Sequence, residues 1–178
     1  VRARYIKGIL KGCNSPWAMT ICELEVYKRK DGSGDTPTVP EDKTPMNTNL
    51  ALNKTVTASS EFYPVSNAVL GKFDFYWAAS AVGDQWLKID LGEEYTINNI
   101  DIYWGVLNYG KTTEILVSLN DDIYTSICTS AEWVPTKDGE YEKQNIAFEN
   151  TKTRYVKAKF TEGTLYALWC YEFEVYKR

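Results

Sequence analysis

Short runs in which apolar and polar residues alternate every second position dominate residues 49–178, and they constrain the fold more than any other feature. In Ile97-Asn-Asn-Ile-Asp-Ile-Tyr-Trp104, Ile100, Ile102 and Trp104 fall on one face, and Asp101 and Tyr103 on the other. A period of two is the signature of a strand with one buried face. The pattern recurs in Ala51 to Ala58, in Trp86 to Leu91 stopping at Gly92-Glu93-Glu94, and in Glu114 to Leu119 with Ile115, Val117 and Leu119 inward. It returns in Tyr124 to Cys128, Gln144 to Phe148, Arg154 to Phe160 and Tyr171 to Tyr176. No stretch of helical period competes with these runs. Strands at this spacing, separated by turn residues, predict an antiparallel β-sandwich or barrel.

The last strand pair also occurs at the start of the chain. Arg4, Tyr5 and Lys7 match Arg154, Tyr155 and Lys157, and Glu23, Glu25, Val26, Tyr27, Lys28 and Arg29 match Glu172, Glu174, Val175, Tyr176, Lys177 and Arg178. Residues 1–29 therefore read as the closing strand pair of a preceding module of the same kind. Residues 30–48, rich in Thr, Pro, Gly and Asp, read as a linker. Residues 49–178 read as one complete module.

Composition excludes several classes of function. The net charge is −4, with acids and bases interleaved, so no basic face is offered to nucleic acid. No apolar run reaches the roughly 18 residues needed to insert across a membrane. The chain has no histidine, which removes Ser-His-Asp and Cys-His catalysis. Cys13, Cys22, Cys128 and Cys170 form no Cys-x-x-Cys pair. Cys128 and Cys170 either pair or serve as small buried hydrophobes. The acids Asp84, Asp90, Glu93, Glu94, Asp121 and Asp122 sit at strand ends and turns, where solvation alone explains them, so no catalytic residue is assigned.

Five separated motifs occur in a recognisable order: Asn49 to Ser60, Asn67-Ala-Val-Leu-Gly71, Trp77-Ala-Ala-Ser80, Gln85 to Gly92, and the closing Arg154-Tyr-Val-Lys with Glu172-Phe-Glu-Val-Tyr. In these the chain resembles the discoidin family, which includes coagulation-factor C domains, and it is most similar to the bacterial family 32 carbohydrate-binding modules. The resemblance implies an eight-stranded antiparallel jelly-roll β-sandwich, galactose-binding-domain-like. It also implies a non-catalytic role, with a glycan bound by loops at one end. The module would then belong to a secreted, multimodular bacterial protein and act beside other modules of the same polypeptide. An adhesion or protein-binding module, or a structural spacer that has lost its ligand, are the alternatives.

The chain departs from the family pattern in three places. Asn49 stands where eukaryotic members place a cysteine that ties first and last strands. Galactose-binding members use a loop histidine that is absent here. In the family's Asp-Gly-x-x-x-Thr-x-Trp stretch, whose Asp and Thr help hold a structural calcium, this chain has Leu70 and Phe75. Asp74, Glu172 and backbone carbonyls remain as candidate ligands of a degraded calcium site.

A sugar offers hydroxyl edges and apolar C–H faces, so its site needs an exposed ring and a few fixed polar groups. Three loops meet that need. Ser60 to Pro64 carries Glu61, Phe62 and Tyr63. The loop after Trp104 carries Asn108, Tyr109 and Lys111. The loop between the last two strands carries Tyr166. Tyr76 is a further exposed candidate. Phe73 and Phe75 are expected to fill the space an ion would organise, and Trp77, Trp86 and Trp104 to lie in the core.

Overall fold

The computed structural model of the chain describes residues 42–162 and 166–178, which belong to one compact unit, Asp42–Arg178. The segment matching the closing strands, most of the linker, and Gly163 to Leu165 lie outside those residues. Among the described residues seven strands are formed: β1 (Thr55–Ala58), β2 (Trp77–Ala78), β3 (Gln85–Gly105), β4 (Gly110–Ser118), β5 (Thr125–Thr129), β6 (Tyr141–Glu162) and β7 (Trp169–Tyr176). A 3₁₀ turn, Val65–Val69, precedes β2. All strand pairings are antiparallel, in the order β2-β7-β3-β6-β4-β5, with β1 also on β3.

Two strands are long enough to serve both layers of the sandwich. The first half of β3, Gln85 to Asp90, pairs with β1 and with Tyr155 to Phe160 of β6. The second half, Tyr95 to Gly105, pairs with Tyr141 to Thr153 of β6, and from Asn99 to Trp104 also with β7. The register breaks between Asp90 and Tyr95, where Gly92 adopts φ +88°. A bulge of this kind bends a strand, and glycine takes that backbone angle without steric cost. The Asp90 carboxylate fixes the corner: it accepts from Gly92 N at 2.8 Å and from Arg154 Nε and Nη2 at 2.8 and 2.9 Å. Arg154 holds that carboxyl below its ordinary pKa.

The strand predicted to stop at Gly92 therefore turns the corner and continues. The predicted runs 144–148 and 154–160 are likewise one strand. With the short β2 added, the eight predicted strands become seven continuous ones. The jelly-roll β-sandwich stands.

The core lies between the layers. Leu87, Ile89, Ile115, Val156, Ala158 and Phe160 come from one side, and Ile97, Ile100, Ile102, Trp104, Phe173 and Val175 from the other, all within 1% of full burial. Phe160 meets Trp104 edge-on at 4.8 Å, which joins the layers. The indole N–H of Trp104 donates to Gln144 Oε1 at 2.8 Å, so this buried polar pair is satisfied. Trp77 is fully buried as expected. Three expectations are corrected. Trp86 faces outward, where Lys157 Nζ lies 4.3 Å from its ring centre. Leu119 is exposed, because β4 ends at Ser118. Phe75 is also exposed, because it stands on the outside of its loop. Cys128 and Cys170 are free thiols.

The folded unit begins earlier than residue 49. Thr96 N donates to Thr44 Oγ1 at 2.8 Å, Met46 bridges to Lys177, and Lys177 pairs with Asp42 at 2.8 Å. Asn49 Oδ1 accepts from Val175 N at 3.2 Å, and Leu50 N donates to Val175 O at 2.8 Å. First and last segments are thus tied by hydrogen bonds through Asn49. The C-terminus is locked by Arg178 Nη2, 2.7 Å from the buried Asp101 carboxylate.

Candidate functional site

At the end of β3 the pairing with β7 slips by one residue: Tyr103 faces Glu172, Trp104 faces Cys170, and Tyr171 is left between them. Consecutive residues of β7 thereby join one outer surface, and a cluster of rings assembles there. Tyr76 stacks on Trp169 at 4.7 Å and 23° and meets Tyr171 at 5.0 Å. Tyr171 meets Tyr141 at 5.0 Å, and Phe73 stacks on Tyr141 at 4.7 Å and 17°. Offset-stacked and tilted pairs at these distances are favourable beyond the area they bury.

The loop from Leu70 to Tyr76 contributes Phe73, Asp74 and Tyr76, and Glu172 anchors it. Leu70 is right-handed helical, with φ −85° and ψ −15°, and Gly71 is left-handed at φ +68°. Successive residues of opposite hand aim their N–H groups into one concavity suited to an anion. The Glu172 carboxylate occupies it. Lys72 N donates to Oε1 at 2.8 Å, and the Gly71 and Leu70 N–H groups also contribute. Gly71 is required sterically as well, since an added Cβ would lie 2.8 Å from Leu52 Cδ1. Glu172 is fully buried, and its second oxygen, Oε2, has no partner. Burial pushes its pKa from 4.5 to about 7 against the pull of those N–H groups.

A cleft of about 630 Å³ opens over the rings. Tyr76, Trp169 and Tyr171 form its floor. Leu107, Asn108, Asp74 and Glu140 also line it, and no Lys or Arg does. Burial and the Glu140 carboxylate both raise the pKa of Tyr171, which sets that acid beside the ring floor. Asn108 holds the wall in place: its side-chain amide donates to Ala167 O at 2.8 Å, and its carbonyl accepts from Trp169 N at 2.8 Å.

Of the residues expected from sequence, Tyr76, Asn108 and Asp74 line this cleft. Asn108 is buried and committed to the scaffold. Phe62 and Tyr63 continue the ring series, with Phe62 against Tyr63 at 4.9 Å and Tyr63 against Tyr76 at 5.4 Å. Glu61 accepts from Val65 N at 2.8 Å. Tyr166 is exposed. Two expectations are redirected: Tyr109 packs on Trp133 at 5.7 Å, and Lys111 pairs with Glu132 at 3.0 Å, and neither lines the cleft. Trp169, Tyr171, Phe73 and Glu140 were not singled out as ligand contacts. Strand alternation hides the first two, because it groups them with Phe173 and Val175 on the core face, and the bulge turns them to the outer surface.

At the expected calcium site few side-chain donors are present. Calcium takes about six to eight oxygen ligands. Glu172 faces amide N–H groups, Leu70 and Phe75 bring no oxygen in their side chains, and no group of three or more acidic, Cys or His side chains assembles among the described residues. Side-chain oxygens alone do not complete a calcium shell there.

Sandwich, bent shared strands and ring-lined end cleft together define a galactose-binding-domain-like β-sandwich. The family model described as F5/8 type C domain matches residues 54–172, and the chain belongs to that family. Chitosan-binding module 1 of a chitosanase/glucanase from Paenibacillus sp. IK-5 is 33% identical, with 73% of this chain and 99% of that chain covered, at a TM-score of 0.62. Module 2 of the same enzyme, solved with chitotriose, is 28% identical over 72% of this chain and 100% of that one, at a TM-score of 0.62. A family 32 module from Clostridium perfringens, in complex with GalNAc-β-1,3-galactose, shares the fold at 23% identity and a TM-score of 0.61, covering 70% and 96%. Comparison with curated proteins finds no match. These neighbours are carbohydrate-binding modules, which supports carbohydrate binding as the function of the domain. No helix among the described residues is long and apolar enough to cross a membrane.

Proposed function

We propose that the domain is a non-catalytic glycan-binding module whose ligand contains amino sugars of the chitosan type, held in the cleft over Tyr76, Trp169 and Tyr171. The observation that carries this is the pairing of an aromatic floor with acidic walls. Rings stack on the C–H faces of pyranose units. Asp74 and Glu140, with no cation beside them in the cleft, suit the ammonium group of glucosamine. A uronic acid would meet like charge there. The chitosan-binding modules of the Paenibacillus enzyme support the same ligand class.

The finer setting belongs to this proposal. The Thr- and Pro-rich stretch before the domain and the second copy of its closing motif at 4–29 favour a module of a larger, secreted bacterial protein. Shallow sites of this kind gain affinity from repetition on one chain.

The test is calorimetric titration with the glucosamine trimer and with its N-acetylated counterpart. Micromolar to millimolar binding of the first, much weaker binding of the second, and loss of that preference in the D74N/E140Q variant are expected. Equal affinity for both trimers would remove the charge argument. No binding of either at millimolar sugar would remove the ligand assignment.

A further inference from the structure

We propose that Phe62 forms an outer subsite contiguous with the cleft, so that the domain binds pyranose chains of several units rather than a single terminal sugar. This rests on the glycan-binding reading above.

The loop that carries Phe62 is fixed from both sides. Phe62 N and Tyr63 N donate to Ala78 O at 2.7 and 3.2 Å. Just before them, Ser60 O accepts the indole N–H of Trp77 at 3.0 Å, and Ser60 Oγ donates to Gln85 Oε1 at 2.7 Å. Just after them, Val65 N donates to Glu61 at 2.8 Å. A backbone held this firmly has a fixed place for the ring, yet Phe62 is 70% exposed. Burying a phenyl ring stabilises a fold, and here much of that stabilisation is forgone. A preorganised ring in water binds at low entropic cost.

Its position gives the occupant. Phe62 touches Tyr63, Tyr63 touches Tyr76, and Tyr76 stacks on Trp169 in the cleft floor. A chain leaving the cleft over Tyr76 meets Phe62 next. The phenyl ring has no hydrogen-bonding group, so it reads only the apolar C–H face of a sugar. It therefore suits units with equatorial substituents and axial C–H bonds. Selection between amine and acetamide stays in the cleft, at Asp74 and Glu140.

The experiment is titration of the full chain and its Phe62→Ala variant with glucosamine oligomers from dimer to hexamer, with circular dichroism to confirm folding. Wild-type affinity rises with length by about tenfold, the size one ring's stacking contributes. Phe62→Ala binds the dimer as the wild type does and gains nothing from longer chains. An equal loss at every length, or a wild-type affinity independent of length, overturns the outer subsite alone. Absence of binding by every oligomer overturns the glycan reading and the subsite with it.

Discussion

Glu172→Gln isolates the anchor of the cleft loop. In the folded domain Glu172 has a pKa of about 7, against an ordinary value of 4.5. A carboxyl raised on folding is held more tightly as the neutral acid, so its contribution is fully present below about pH 4.5 and is lost as pH rises through about 7. At 1.36 kcal/mol for each pKa unit, the loss reaches roughly 3 kcal/mol above pH 7. Glutamine keeps the acceptor for the Leu70, Gly71 and Lys72 N–H groups and cannot ionise. Urea denaturation followed by tryptophan fluorescence, from pH 4.5 to 8, measures both proteins. The raised Glu174 contributes to both curves and cancels in their difference. That difference should move by about 3 kcal/mol in favour of the variant between the two ends. Parallel curves would show that the carboxyl is not buried in the loop as described. Stabilisation of the wild type, but not the variant, by millimolar calcium at pH 8 would refute the metal-free anchor.

Three further outcomes follow from the geometry. Trp169→Ala removes the ring stacked on Tyr76 and should weaken oligosaccharide binding by about thirtyfold, as loss of a central aromatic anchor does; calorimetry reads it. Arg178→Ala leaves Asp101 buried with Lys143 and Asn145 alone and should cost about 2 kcal/mol of stability in urea denaturation, most of it recovered when Asp101→Asn is added. Lys111→Ala removes only an exposed pair with Glu132, so glycan affinity and melting temperature should both stay within error of the wild type.

The faces of the sandwich were legible in the sequence. Ile100, Ile102 and Trp104 alternate as a period of two demands, and all are fully buried. Continuity was not legible. Gly92-Glu93-Glu94 reads as a stop, and only the pairing of Tyr95 with Thr153 shows that the chain bends and resumes. At the site, aromatic content marked Phe62, Tyr63 and Tyr76 as candidates, because rings beside turn residues have few inward places to go. Tyr109 and Lys111 looked equivalent, but their partners Trp133 and Glu132 lie in an irregular segment with no period to read. Trp169 and Tyr171 were hidden for the opposite reason: a regular strand would place them with Phe173 and Val175 on the core face, and only the bulge turns them outward. The carboxylate in its cradle of amides was half visible. Glu172 was marked as a possible cation ligand, whereas the backbone signs of Leu70 and Gly71 make its partner the chain itself.

The side-by-side meeting of Met46 and Lys177 has a consequence for how the domain is used. Along β7, Tyr176 pairs with Asn99, while Trp169 and Tyr171 enter the cleft at the other end. Eight strand residues at about 3.3 Å each place the two ends roughly 25 Å apart. The domain therefore has a tethered pole and a free pole. Asp42, at the start of the folded unit, pairs with Lys177, so both chain ends of the unit lie at the tethered pole. A polymer held in the cleft would engage the unit at the end opposite to both Asp42 and Arg178.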